Sequence, residues 1–128
     1  MTAVSVEQIE RLRVAWDTDA GGRIHFTAVF RYAELAETVL RRRLGLLGNW
    51  ADYPRRHVEA DYFAVLRFDD EVELALRPER LGRTSITWAW QIRRGDEVCV
   101  HGSHTVVHVD AAGRASELPA DVRAALSG

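Results

Sequence analysis

The spacing of hydrophobic residues predicts one long helix in the first third of the chain. From Thr27 to Leu44, apolar residues recur every three or four positions, the period of a helix with one buried face. Thr27 is predicted as the N-cap and Gly45 as the residue that ends the helix. The last turn carries three arginines, which suit the negative end of the helix dipole. Few polar positions precede them, so we expect the rest of the domain to wrap this helix on most sides.

Alternating patterns predict five strands around this helix. Before it, Leu12 and Val14 alternate with arginines, which predicts a strand over 7–16. After a loop over 46–55, four more strands are predicted, at 57–66, 71–78, 84–93 and 97–109. Gly95-Asp96 joins the last two as a tight hairpin. A short terminal helix starts at Leu118-Pro119, because proline favours the first turn of a helix.

This order of elements predicts an α+β fold in which a curved antiparallel sheet wraps a single helix. The 128 residues fit one domain, 1–128, with one core. A sheet of this kind covers the helix incompletely and leaves its own edges exposed. We therefore expect a homo-oligomer, a dimer or a tetramer, built on sheet edges or on helices packed across a two-fold axis.

Composition excludes several classes of protein. The sequence has no run of about 18 apolar residues, so no membrane span is predicted. The N-terminal segment shows no secretory signal, and the net charge of −2 argues against a duplex nucleic-acid partner. The single cysteine, Cys99, cannot form an internal disulfide, which suits the cytoplasm. All seventeen basic residues are arginine, which excludes lysine chemistry and, with the abundant alanine, indicates a bacterial coding bias.

The turn before the helix carries the clearest candidate chemistry. It runs Asp17-Thr-Asp-Ala-Gly-Gly22 and places two carboxylates and two glycines near the predicted helix N-terminus. A carboxylate there stays ionised and can act as a base or a nucleophile. The free N–H groups of a helix start can stabilise an oxyanion. The alternative interpretation is that the acids cap the turn and the glycines only shape it.

Several short motifs occur in a fixed order along the chain. They are the Asp-x-Asp-x-x-Gly turn at 17–22, the aromatic stretch Phe30–Ala36 with its Glu34, the segments 68–72 and 81–85, and the terminal Gly113-Arg114 and Leu118-Pro119. In this order they resemble the hotdog-fold acyl-CoA thioesterases of the 4-hydroxybenzoyl-CoA thioesterase family. The branch most similar is the small bacterial acyl-CoA thioesterase associated with the Tol-Pal system. The resemblance covers nearly the whole chain.

The resemblance implies a hotdog fold and hydrolysis of an acyl-CoA or acyl-carrier-protein thioester without a metal or redox cofactor. The family's catalytic carboxylate maps onto Asp19, as base or nucleophile. The backbone N–H of Phe26 maps onto the group that polarises the thioester carbonyl. Asp17 is expected to accept hydrogen bonds from the backbone amides of the turn and so to hold Asp19 in place.

The resemblance also implies substrate contacts. Gly21 and Gly22 let the acyl chain or pantetheine approach the backbone, Thr27 offers a second N–H, and Arg83 falls where relatives contact the phosphates of coenzyme A. The chain departs from the family at Phe26, where Tyr or His is common, while His25 stands one place earlier and is a weaker catalytic candidate. Two further departures, Ala28 and Val29, suggest an altered acyl pocket.

Two alternatives to a thioesterase stay open on the sequence, and neither involves a metal. The histidines at 101, 104 and 108 have strand spacing, but the first lies on the opposite face, so no metal site is predicted. A hotdog hydratase or dehydratase has a histidine five residues after its aspartate, where this chain has Ile24. A non-catalytic acyl-binding module would keep the pocket without turnover.

Overall fold

One long helix packs on one face of a five-stranded antiparallel sheet. The computed structural model describes residues 6–15 and 17–128. Its strands are β1 (Gln8–Arg13), β2 (Arg55–Tyr62), β3 (Glu71–Leu81), β4 (Ser85–Arg94) and β5 (Glu97–Val107), and its helices are α1 (Ala28–Arg43), α2 (Ala120–Leu126) and a 3-10 helix over Leu47–Asp52. The order in the sheet is β1-β3-β4-β5-β2, so β1 and β2 form its two edges. The predicted fold class is confirmed.

The ends of α1 show how local sequence sets its length. Thr27 occupies the N-cap position, but its hydroxyl makes no capping hydrogen bond, and the helix begins at Ala28. At the other end Gly45 adopts a φ of 74°, and its N–H donates to the Arg42 carbonyl at 3.1 Å. The predicted stop at Gly45 is confirmed, because glycine takes this left-handed conformation at little cost.

Two strands end earlier than the sequence patterns predict. β1 ends at Arg13, and Trp16, the last residue of its predicted range, lies outside the described residues. β2 ends at Tyr62, whereas the pattern extended to residue 66. There the N–H groups of Phe63 and Ala64 both donate to the Cys99 carbonyl, at 2.7 and 3.1 Å. Because two successive amides share one acceptor, the chain turns out of the sheet at this point.

The core lies between α1 and the inner face of the sheet. The inner face of β4 carries four fully or almost fully buried side chains, Ile86, Trp88, Trp90 and Ile92. The helix presents small buried residues to them, including Ala33 and Ala36, so the backbone of α1 can approach the sheet closely. This face is the one that the alternation of β4 predicts.

A chain of buried polar groups crosses this core. The Trp90 Nε1–H donates to His104 Nδ1 at 3.2 Å, and His104 Nε2 lies 2.8 Å from Glu37 Oε1. Because an indole N–H can only donate, His104 Nδ1 accepts and its Nε2–H donates to Glu37. Arg55 donates to the same Glu37 oxygen at 2.9 Å. These bonds tie α1 to β2, β4 and β5.

We predict that His104→Ala lowers the free energy of unfolding by about 3 kcal/mol or more. The substitution leaves the Trp90 N–H without its acceptor and removes one donor from a fully buried carboxylate, Glu37. Denaturant titration measures the change. His101→Ala, on the exposed face of the same strand, is the control, and we expect a change of about 0.5 kcal/mol or less. Equal losses in the two variants would contradict the assigned role of this buried chain.

Candidate active site

Backbone hydrogen bonds fasten the turn before α1 to the segment that follows β2. The Ile24 N–H donates to the Leu66 carbonyl at 2.7 Å, and the Phe68 N–H donates to the Gly22 carbonyl at 3.0 Å. The two segments are far apart in sequence, but these bonds hold them side by side. Residues 17–27 and 62–70 therefore form the two walls of one site.

Asp19 organises the turn with one of its carboxylate oxygens. Its Oδ1 accepts hydrogen bonds from the Gly21 N–H at 2.8 Å and the Arg23 N–H at 3.3 Å. A Cβ at residue 21 would lie only 3.3 Å from this oxygen, and Gly22 has a φ of 77°, so both glycines serve the turn. Among the described residues, no donor reaches Asp19 Oδ2. The carboxylate is thus fixed through one oxygen while the other stays available.

Asp17 does not hold the turn amides, and this expectation was wrong. Its Oδ1 accepts from Arg31 at 2.6 Å and its Oδ2 from the Tyr32 hydroxyl at 3.1 Å. Burial, together with the bond to Asp17, raises the pKa of Tyr32 to about 12, so its hydroxyl stays a donor. Asp17 thereby joins the loop before α1 to the N-terminal part of the helix. The backbone amides of that loop instead donate to Asp19.

The first residues before α1 leave one amide unused. The His25 carbonyl accepts from the Ala28 N–H at 2.9 Å, and the Thr27 N–H donates to His25 Nδ1 at 3.3 Å. Within the part of the chain that the structure describes, the Phe26 N–H has no acceptor. It belongs to the same peptide unit as the His25 carbonyl, and the bond to that carbonyl polarises the unit and strengthens the N–H as a donor. Phe26 therefore presents an amide that is free to bind an oxyanion.

His25 is held beside this amide by local contacts. Its Nδ1 lies 2.7 Å from the Thr27 hydroxyl, and its ring stacks on Phe26 with the ring centroids 4.8 Å apart. His25 is not among the residues that line the cavity described next. These contacts give it a structural role at the entrance to α1.

A cavity of about 210 Å³ lies between the two walls. Its lining consists of Asp19, Arg23, Ile24, Phe26 and the continuous segment Tyr62–Leu66. Phe26 and Phe63 expose more than 60% of their surface, unusual for large apolar side chains. The cavity thus places Asp19 beside an apolar, aromatic surface.

Some predicted site residues lie elsewhere. Arg83 follows the end of β3 that is farther from the cavity. The length of the strand separates the two by about 30 Å. The Arg83 guanidinium forms an ion pair with Glu117 at 3.6 Å. Ala28 and Val29 are fully buried in the core and do not line the cavity. Gly21 and Gly22 lie next to the cavity, outside its lining. Thr27 does not offer the expected second N–H, because that group donates to His25 Nδ1. Of the predicted site residues, Asp19 and Phe26 are the two that line the cavity within the described part of the chain.

No pattern in the sequence indicates the second wall. Alternation predicts Tyr62 and Phe63 in a strand, and the glycines before Arg23 predict a turn, but neither pattern points to a function. Their role arises from hydrogen bonds between distant segments, which a local pattern does not encode. The three residues now belong to the candidate site.

Metal and membrane features are not found among the described residues. No three histidine, cysteine or acidic side chains of that part of the chain come close enough to hold a metal ion. No helix over those residues has the length and apolar character needed to cross a bilayer.

Asp70 anchors the second wall. Its Oδ2 accepts from the Arg67 N–H at 2.8 Å and from Arg94 at 2.9 Å, and Arg94 also donates to the Val65 carbonyl. Burial by itself acts to raise the pKa of Asp70, but these hydrogen bonds outweigh it and lower the pKa below its ordinary value of 3.8. The ionised carboxylate is therefore the form that holds the segment.

We predict that Asp70→Asn lowers the free energy of unfolding by about 1–2 kcal/mol at pH 7, because a charge-assisted bond becomes a neutral one. A group whose pKa falls on folding stabilises the protein fully above its ordinary pKa and loses that effect as the pH drops through the folded value. The difference in stability between the wild type and Asp70→Asn, measured by thermal unfolding, should disappear below about pH 4. A difference that stays constant down to pH 2 would show that the charge is not responsible.

The chain matches a known protein family and several solved structures. The family model of the thioesterase superfamily matches residues 21–112. A 1,4-dihydroxy-2-naphthoyl-CoA thioesterase from Synechocystis has a similar structure, with a TM-score of 0.86 at 18% identity, covering 94% of this chain and 96% of that one. None of the curated proteins matches the sequence.

Two further solved structures are similar over almost their whole length. A thioesterase from Thermus thermophilus, determined with coenzyme A and zinc, has a TM-score of 0.84 at 24% identity, covering 93% of this chain and 90% of that one. A protein from Aquifex aeolicus has a TM-score of 0.84 at 26% identity, covering 92% and 98%. The sheet and the single long helix are thus common to all of them.

Proposed function

Because the chain belongs to the thioesterase superfamily and is a thioester hydrolase, we propose that it hydrolyses acyl-CoA thioesters with Asp19 as the catalytic carboxylate. The observation that carries this proposal is the arrangement of Asp19, whose Oδ1 is bound by two amides while its Oδ2 accepts no bond from the described residues. A residue that only capped the turn would not need to line an aromatic cavity as well.

The chemistry follows from the two groups at the start of α1. The thioester carbonyl accepts a hydrogen bond from the Phe26 N–H, which stabilises the negative charge that develops on its oxygen. Asp19 Oδ2 either attacks the carbonyl carbon or removes a proton from an attacking water. In the first route the thiolate leaves from a mixed anhydride, which a water then hydrolyses; in the second the water oxygen adds to the carbonyl carbon and the thiolate leaves. Both routes release the thiol and the free acid. His25 is not needed in either, and its local contacts give it a supporting role.

The walls of the cavity indicate the kind of acyl group. Phe26, Tyr62 and Phe63 offer aromatic surface. The cavity of about 210 Å³ is smaller than the ~300 Å³ at which pockets for drug-sized ligands begin, which favours a compact acyl group. Arg23 also lines the cavity, and its guanidinium is suited to an anionic group of the thiol carrier. It replaces Arg83, which lies too far away in the same chain. The Thermus thioesterase with bound coenzyme A supports coenzyme A as the carrier, while an acyl carrier protein remains the alternative.

The hydratase alternative has no support from the site. Such an enzyme needs a histidine five residues after its aspartate, where this chain has Ile24. That side chain is buried, and its backbone N–H is used to join the two walls. The cytoplasmic location, inferred from the single cysteine, stays a prediction.

We predict that Asp19→Asn folds normally and loses thioesterase activity by about 10²–10⁴-fold in kcat. The amide oxygen of asparagine can still accept the Gly21 N–H, so the turn is kept, but the side chain is no longer a base or a nucleophile. Thiol release from acyl-CoA measures the loss, and circular dichroism checks the fold. Asp96→Asn, in the exposed β4–β5 turn, is the matched control and should retain full activity. Activity of Asp19→Asn within threefold of wild type would refute the assignment.

We further propose that two copies join through the edge strand β2. Nearly all of β2 is exposed, and it carries basic residues in its first half (Arg55, Arg56, His57) and acidic residues in its second half (Glu59, Asp61). Antiparallel pairing around a two-fold axis near Val58 places basic residues against acidic ones, whereas parallel pairing would oppose like charges. The same arrangement places Arg56 of the partner subunit opposite Ala60, two residues before Tyr62 at the cavity end of β2.

We predict a dimer or a larger oligomer. Val58→Glu should dissociate it, because the two-fold axis near residue 58 would set two glutamates of like charge opposite each other. Ile9→Glu on the opposite edge strand, β1, is the matched control, since the two side chains are 47% and 48% exposed. It should keep the oligomer intact. Light scattering at micromolar concentration measures both. A monomeric wild type, or dissociation by Ile9→Glu alone, would rule out the β2 interface.

A further inference from the structure

Tyr62 makes one polar contact that the catalytic scheme has not used. It lies at the end of β2, where the chain leaves the sheet, and its hydroxyl donates to the carbonyl oxygen of Phe26. The two residues are 36 positions apart and line the same cavity from opposite walls. A side chain of the second wall therefore holds the backbone of the first wall at the residue with the free amide.

The hydrogen bonds around Phe26 show why this contact matters. The peptide unit before Phe26 is held on its carbonyl side by the Ala28 N–H, and its own N–H is free. The next peptide unit consists of the Phe26 carbonyl and the Thr27 N–H. The Tyr62 hydroxyl donates to this carbonyl, and the Thr27 N–H donates more weakly to His25 Nδ1 at 3.3 Å. The helix supplies no cap here, since the Thr27 side chain makes no capping bond. Tyr62 is thus the contact from outside the turn that fixes the orientation of residue 26.

We propose that Tyr62 is a positioning residue for hydrolysis: its hydroxyl holds the Phe26 backbone so that the Phe26 N–H points at the thioester carbonyl oxygen. This inference rests on the proposed function, because it assigns a support to the proposed oxyanion donor. Tyr62 touches neither the reacting carbon nor Asp19 in this scheme. Burial raises the pKa of Tyr62 above its ordinary value of 10.0, so the hydroxyl keeps its proton throughout the neutral range.

Tyr62→Phe tests the proposal, because it removes one oxygen and keeps the ring that lines the cavity. An oxyanion donor displaced by a fraction of an ångström acts mainly on the transition state. We expect kcat to fall about tenfold while KM changes less than about threefold. Tyr53→Phe is the matched control: Tyr53 is buried, does not line the cavity and lies against Arg41, so kcat and KM should stay at wild-type values.

A second measurement does not depend on turnover. The chain has four phenylalanines, so protein labelled with ¹⁵N-phenylalanine gives four backbone amide signals. We expect Tyr62→Phe to shift the Phe26 signal and Tyr53→Phe to leave it in place. A shift without any wild-type thiol release would refute the proposed function while confirming that Tyr62 sets the Phe26 amide.

Three results would overturn the proposal. One is a kcat of Tyr62→Phe within twofold of wild type. Another is a loss confined to KM, which would make Tyr62 a wall of the acyl site only. The third is an unmoved Phe26 signal, which would show that the hydroxyl does not set the backbone at residue 26.

Discussion

The two amide hydrogen bonds to Asp19 Oδ1 are the constraint on which the site depends. They fold residues 19–23 into a turn tight enough to require glycine at two positions, and they fix the direction of the carboxylate. Asp19 lines the cavity, and no described residue donates a hydrogen bond to its other oxygen. The capping and the catalytic interpretations of Asp19 are therefore compatible, since each uses a different oxygen.

The position of this turn depends in turn on the packing of α1. Glu37 and His104 lock the helix to β5, and Trp90 packs over Gly102, where a Cβ would lie 2.7 Å from the indole ring. The N-terminus of the helix is thereby fixed relative to the end of β2. Since Tyr62 and Phe26 come from these two elements, the geometry of the candidate oxyanion site is set by contacts in the core as well as in the turn.

The sequence predicted those features that depend on local spacing. The helix, its stop at Gly45, the β4–β5 hairpin and the Asp19 turn all have signals within a few residues. It did not predict the partners of Asp17, the buried carboxylate of Glu37 or the wall at 62–66, because each depends on residues between 14 and 67 positions apart. A local motif can also mislead. The motif around Arg83 predicts a contact with the substrate, but within one chain Arg83 lies at the opposite end of the sheet from the cavity.

We propose that this chain breaks acyl-CoA thioesters at the cavity beside Asp19. The most direct measurement is thiol release by the purified wild-type protein from a panel of short aliphatic, long aliphatic and aromatic acyl-CoAs, with binding of each measured in parallel. We expect thiol and free acid to be released in equal amounts, fastest with compact or aromatic acyl groups that fit the cavity. Saturable binding of these acyl-CoAs with no thiol released from any of them would contradict it and leave an acyl-binding module in its place.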